Sequence, residues 1–80
     1  MKPIYLVTWV DSEASGEWTG SEDWEKGLKF SSIVSIGFLV AENDLGIALA
    51  VSWCEENKHA NPIMYIPHCS IISKEEIELK

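Results

Sequence analysis

Ser31-Ser-Ile-Val-Ser-Ile-Gly-Phe-Leu-Val-Ala-Glu-Asn-Asp-Leu-Gly-Ile-Ala-Leu-Ala-Val-Ser-Trp53 is the stretch on which the fold turns. Val34, Ile36, Phe38 and Val40 alternate along its first half, and Ile47, Leu49 and Val51 alternate along its second. Spacing of two places each set on one side of a pleated strand. Glu42-Asn43-Asp44-Leu45-Gly46 between them supplies residues that close tight turns. The expectation is a β-hairpin, with Val34, Ile36, Phe38, Leu49, Val51 and Ile66 in the core. The alternate positions are small: Ser35, Gly37, Leu39 and Ala41, then Gly46, Ala48, Ala50 and Ser52. Such a face suits either tight curvature of a small barrel or the close approach of another surface. Ser35, Gly37, Ala48 and Ala50 are therefore the candidate interface of a homo-oligomer.

Outward from the hairpin, Pro3 to Val10 reads as a strand with apolar residues on both faces. The connection from Asp11 to Phe30 is long for so small a domain, and such connections usually fold over the core or serve function. Its first fifteen residues hold the acids Asp11, Glu13, Glu17, Glu22, Asp23 and Glu25. Ser21 is placed to cap a helical turn that Gly27 stops, and Trp18 and Trp24 are placed to pin the loop to the body. Cys54 to Asn61 reads as a polar loop, Pro62 to Ile66 as a short strand, and Pro67-His68-Cys69 as a turn. In the tail, Ser73 and Glu76 resemble a capping box, but the alternation of Glu76, Ile77, Glu78 and Leu79 favours a strand. Residues 1–80 thus form one all-β domain. The order of elements resembles a small five- to six-stranded SH3-like or Sm-like barrel with a long first loop, in which Ile66-Pro67-His68-Cys69-Ser70-Ile71 stands at the single turn before the last strand.

Composition narrows the chemistry. Thirteen acids against six basic residues, all lysine, give a net charge of −7. Without arginine there is no bidentate fork for phosphates or guanine edges, so double-stranded DNA is not an expected partner. No apolar run reaches the roughly 18 residues of a membrane span, and the N-terminus does not read as a signal peptide, so a cytoplasmic location is expected. Cys54 and Cys69 read as reduced thiols, at least one of them packed; with His59 and His68 they make the right number of zinc ligands at the wrong spacing. The acidic loop lacks the Asp-x-Asp-x-Asp-Gly register of a calcium site. No metal and no cofactor are expected. Nucleophile, P-loop, metalloprotease and dinucleotide motifs are all missing, and Glu55 and Glu56 beside Cys54 oppose a thiolate, so no enzyme is expected.

Four tryptophans, Trp9, Trp18, Trp24 and Trp53, are many for eighty residues. In the SH3-like layout the long first loop and the loop after the hairpin flank one groove, where aromatics stack a base or hold an extended peptide. The alternative is that each tryptophan plugs an end of a thin core. Trp9, Trp18 and Trp53 are the candidate groove aromatics, Asp11 and Ser12 the candidate readers of hydroxyl or amide edges, and Lys58 the candidate phosphate contact.

Trp9-Val10-Asp11-Ser12, Trp18, Ser35-Ile36-Gly37-Phe38-Leu39-Val40 with Glu42, Ile47 to Ser52, and Ile66-Pro67 together are similar to a group of short phage and prophage proteins. Members of that group often carry a basic residue after the proline, where this chain has His68. The resemblance implies a non-enzymatic phage accessory protein acting in the cytoplasm of a bacterial host. It further implies blunting of host defence, by sequestering a small nucleotide-like signal. The second expectation is a protein-interaction barrel whose acidic loop engages a basic host or phage protein as a charge mimic or inhibitor.

Overall fold

The computed structural model describes residues 1–12 and 16–79. Glu13, counted among the acids of the long connection, lies outside the described residues. The central hairpin is present as β2 (Ser31–Glu42) and β3 (Gly46–Cys54). Its turn is tied by Asn43, whose Oδ1 accepts hydrogen bonds from the Leu45 N–H at 2.8 Å and the Gly46 N–H at 3.4 Å. The Asn43 N–H in turn donates to the Gly46 carbonyl at 3.0 Å. This is the side-chain-to-backbone bonding that makes asparagine a turn former. Gly46 is required here because a Cβ would collide with the carbonyl oxygen of Ile66 on the neighbouring strand.

β1 (Ile4–Asp11) pairs antiparallel with the first two thirds of β2 and, on its other side, with β5 (Ile71–Ile77). β4 (His59–Pro67) pairs with β3, so one five-stranded antiparallel sheet runs in the order β4-β3-β2-β1-β5. The all-β class is as the alternation requires, and the ambiguous tail is a strand. The described strand pairings leave β4 and β5 as the two edges, so the sheet is open. It nevertheless curls enough for the N-terminal amine to reach Glu55 beyond the end of β3, 3.4 Å away.

The core is not the one the hairpin's alternation suggests. Leu49 and Ile66 are buried as expected, together with Val7 and Ile47, and Tyr5, Trp9, Leu39 and Ile71 pack around them. Val34, Ile36 and Val51 are instead exposed, by 62%, 61% and 68%, and Phe38 is half-buried. A β-bulge explains the difference. The β2–β3 register shifts between Leu39 and Ala41, so that Leu39 stands opposite Leu49 and Phe38 opposite Ala50. Directly opposed residues share a face, and one inserted residue exchanges the faces of the strand. Leu39, Leu49 and Ile47 therefore go inward with Val7, while Val34, Ile36 and Phe38 go outward with Ile4 and Leu6.

The same shift splits the small-residue face. Ser35 and Gly37 lie on the inner side with Val7, whereas Ala50 lies on the outer side with Phe38. Gly37, Ala48 and Ala50 are buried and Ser35 is half-buried within the single chain. Ala50 stands between Phe38 and Ile63, and Ala48 between Ala41 and Tyr65. These cross-strand neighbours flank the alanines within one chain.

Two connections also differ from expectation. β4 begins at His59 rather than Pro62, because residues 55–58 complete a tight turn. Lys58 N–H donates to the Cys54 carbonyl at 2.9 Å with Lys58 at φ 59°, and Asn57 Oδ1 accepts from the His59 N–H at 3.0 Å. In the long connection, Ser21–Asp23 and Glu25–Gly27 are two single 3-10 turns, and Ser21 makes no capping bond. A last 3-10 turn, His68–Ser70, carries the chain from β4 to β5, and the His68 N–H donates to the Leu45 carbonyl at 3.0 Å.

Candidate functional site

The six residues expected to bind a ligand fall into three places. Trp9 lies on the inner face of β1, half-buried, and its indole Nε1–H donates to the Ser35 hydroxyl at 3.1 Å. A tryptophan packed on the core with its N–H satisfied is held as a structural plug. Asp11 ends β1 opposite Ser31, with Ser12 next to it, and both are exposed.

Trp53 and Lys58 do come together, at the tip of the β3–β4 ribbon. The ammonium groups of Lys2 and Lys58 stand 5.5 Å and 5.8 Å from the Trp53 ring centre, within the range of cation–π attraction. Trp53 Nε1–H donates to a Glu55 carboxylate oxygen at 2.5 Å, and Lys58 Nζ approaches the other oxygen at 3.1 Å. The bond from Trp53 first, then that from Lys58, holds the Glu55 carboxyl down at about 2. Lys58 is thus engaged by a carboxylate and a ring, and it shares both: the N-terminal amine lies 3.4 Å from the same Glu55 oxygen, and Lys2 stands over the same ring.

Trp18 is in the third place, wholly exposed in the long connection. The expectation that Trp18 and Trp24 anchor that connection is not met. Trp24 is exposed and its Nε1–H donates to the Thr19 carbonyl at 3.1 Å, a bond internal to the arm. All described residues of 16–30 are exposed. The segment is therefore an arm bearing Trp18, Trp24, Leu28 and Phe30 among Glu17, Glu22, Asp23 and Glu25. Lys26 Nζ, 3.3 Å from an Asp23 oxygen, offsets one of these charges.

A groove of about 400 Å³ opens elsewhere, at the β2–β3 turn and the end of β4. Ala41, Leu45, Ala48, Tyr65 and Pro67 give it apolar walls, and Glu42 and Asn43 stand on its rim. Glu42 accepts a hydrogen bond from Lys74 Nζ at 2.6 Å, which keeps its carboxyl below the ordinary range. The Asn43 carbonyl lies 2.8 Å from His68 Nε2, which ties the turn to the one before β5. No lysine lines the groove, which is suited to an apolar side chain rather than a phosphate. None of Trp9, Asp11, Ser12, Trp18, Trp53 and Lys58 lines it either. The sequence signal for this place was the meeting of small Ala41 and Ala48 with Tyr65 and Pro67, which requires the register to be seen.

Cys54 and Cys69 are both free and exposed, so neither is the packed thiol that was expected. The described residues hold no group of three or more His, Cys, Asp or Glu side chains placed to share a metal ion. No helix among the described residues is long and apolar enough to cross a membrane. No family model, curated protein or solved structure matches the chain.

Proposed function

We propose that the chain is a non-enzymatic protein-interaction module whose arm, residues 16–30, engages a partner that is both basic and apolar. The observation that carries this reading is the arm itself. Four large apolar side chains, Trp18, Trp24, Leu28 and Phe30, stand in solvent beside four carboxylates. Large exposed aromatics are the residues that dominate binding energy once a partner covers them. Carboxylates around them steer a positively charged surface and reject an acidic one. In the phage setting that the sequence resemblance implies, the partner is a basic host or phage protein in the bacterial cytoplasm.

Sequestration of a nucleotide-like signal has less support, because its proposed phosphate contact, Lys58, is already held by Glu55 and Trp53. Calorimetry separates the two readings. The probes are an 18-residue amphipathic lysine–leucine peptide, a scrambled peptide of equal charge, and a panel of cyclic dinucleotides. The proposal expects the amphipathic peptide to bind more tightly than its scramble. Trp18→Ser with Trp24→Ser should weaken that binding by about tenfold or more, the scale of losing one good aromatic contact. Equal binding of both peptides, or tight binding of a nucleotide alone, overturns it.

A further inference from the structure

We infer that the free edge of β5 is a strand-addition site, where an extended basic segment of the partner pairs as a sixth strand. The inference rests on the reading that the partner is basic, and it adds where and how that partner is held. β5 is hydrogen-bonded to β1 alone, so the backbone along its other side has no strand opposite. Residues of an antiparallel strand alternate in the direction of their N–H and C=O groups, which leaves about half of Ile71–Ile77 offering both outward. The segment contains no proline, so every outward position can both donate and accept. The other edge is guarded. β4 carries Pro62 and Pro67, which lack a backbone N–H, and proline commonly blunts an exposed edge.

Charge names the occupant. Lys74 is the only cation within β5, and it reaches over the inner face of the sheet: its Nζ bonds to Glu42 at 2.6 Å and stands 5.8 Å from the centre of the Tyr5 ring. Glu75 and Glu76 are exposed, one on each face of the strand. Among the described residues neither forms an ion pair, and Glu76 is approached only by the Tyr5 hydroxyl at 3.5 Å. Opposite charges on facing strands attract and like charges repel, so the edge accepts a segment bearing lysine or arginine and rejects an acidic one. A second copy of this chain would bring the same carboxylates and the same charge of −7, with its Lys74 already engaged. Ile72, 61% exposed, gives apolar side chains of the incoming segment a contact at the start of the strand.

Position links the edge to the arm. Trp9 stands opposite Ile71, two residues before β1 ends at Asp11 and the long connection begins. β5 therefore starts beside the foot of the arm and runs from there for about 23 Å, the length of a seven-residue strand. One partner chain can engage both.

Calorimetry and amide hydrogen exchange on the full chain test the inference, with an 18-residue peptide of alternating lysine and valine as the probe. A second peptide of the same sequence carries N-methyl groups on alternate pairs of residues. No run longer than two can then pair, while side chains and charge are unchanged. The first peptide should bind and slow exchange of the β5 amides, and the second should bind at least tenfold more weakly. Glu75→Lys with Glu76→Lys should weaken the first peptide by a similar factor. Equal affinity of the two peptides, β5 exchange that bound peptide leaves unchanged, or no binding overturns the inference. So does β5 exchange that slows as the peptide-free chain is concentrated, since a second copy then occupies the edge. Trp18→Ser with Trp24→Ser separates this inference from the arm's role. Lost affinity in that variant, with β5 exchange insensitive to peptide in the wild type, upholds the arm and overturns the edge. Unchanged affinity with β5 protected upholds the edge and overturns the arm.

Discussion

Ile66→Ala tests the inner face directly, and Tyr65→Ala, one residue earlier on the same strand, is its natural control. Ile66 is 1% exposed and packs with Val7, Ile47 and Leu49, whereas Tyr65 faces the other way and is 76% exposed. Ile66→Ala deletes three carbon groups, worth about 2.4 kcal/mol in transfer energy. Were the site unable to collapse, the void left by three such groups, about 75 Å³, would add about 1.8 kcal/mol. β4 is an edge strand and is free to settle inward, so a total of about 3 kcal/mol is expected. A domain of this length has about 4–12 kcal/mol in all, and the variant should sit near the limit of folding. Tyr65→Ala loses packing over Ala48 and some strand preference, together about 1 kcal/mol or less. Urea titration followed by circular dichroism, at one fixed protein concentration, measures both. Equal losses, or a larger one for Tyr65→Ala, would mean that β4 presents the opposite face to the core and that the register is wrong.

Lys58 occupies the left-handed region with φ 59°, which costs a side-chain-bearing residue about 1–2 kcal/mol. Lys58→Gly should therefore melt above Lys58→Ala by about 1 kcal/mol, both variants having lost the exposed contact to Glu55; equal midpoints would show the turn to be unstrained. Glu55 is held at about 2 against an ordinary 4.5, chiefly by the Trp53 N–H. A depressed carboxyl contributes stability above its unfolded value and loses it as pH falls through the folded one. The melting advantage of wild type over Glu55→Gln should accordingly be full above pH 4.5 and vanish toward pH 2. A difference that stays constant across that window would show that the carboxylate is not bonded as described.

Strand positions were legible in the sequence because alternation survives any choice of face, but the choice itself was not. β1 is apolar on both sides, Tyr5, Val7 and Trp9 against Ile4, Leu6 and Val10, so it gives no preference. The hairpin's larger residues, Val34, Ile36 and Phe38, then favour the wrong side, and only the bulge near Val40 corrects them. Nothing in local composition marks that bulge. The start of β4 was illegible for a different reason. His59, Ala60 and Asn61 pair with β3 through the backbone at an edge, where no burial forces an apolar pattern on the side chains. Among the site residues, a tryptophan's number in the chain does not reveal whether its N–H finds a partner. Trp9 finds Ser35, Trp53 finds Glu55, Trp24 finds the Thr19 carbonyl, and Trp18 stands in solvent.

The distribution of charge in space, rather than its sum, sets where a basic partner meets the chain. Carboxylates crowd the arm, and the tip of the β3–β4 ribbon carries Glu55 and Glu56 beside Lys58, while the outer β1–β2 face has none. At physiological ionic strength a charge acts over about 8 Å, so these carboxylates steer a partner only near the arm. Engagement of a basic partner by the arm depends on attraction between opposite charges and should weaken as salt is added. Binding that added salt leaves unchanged would mean that the exposed Trp18 and Trp24, rather than the carboxylates beside them, hold the partner.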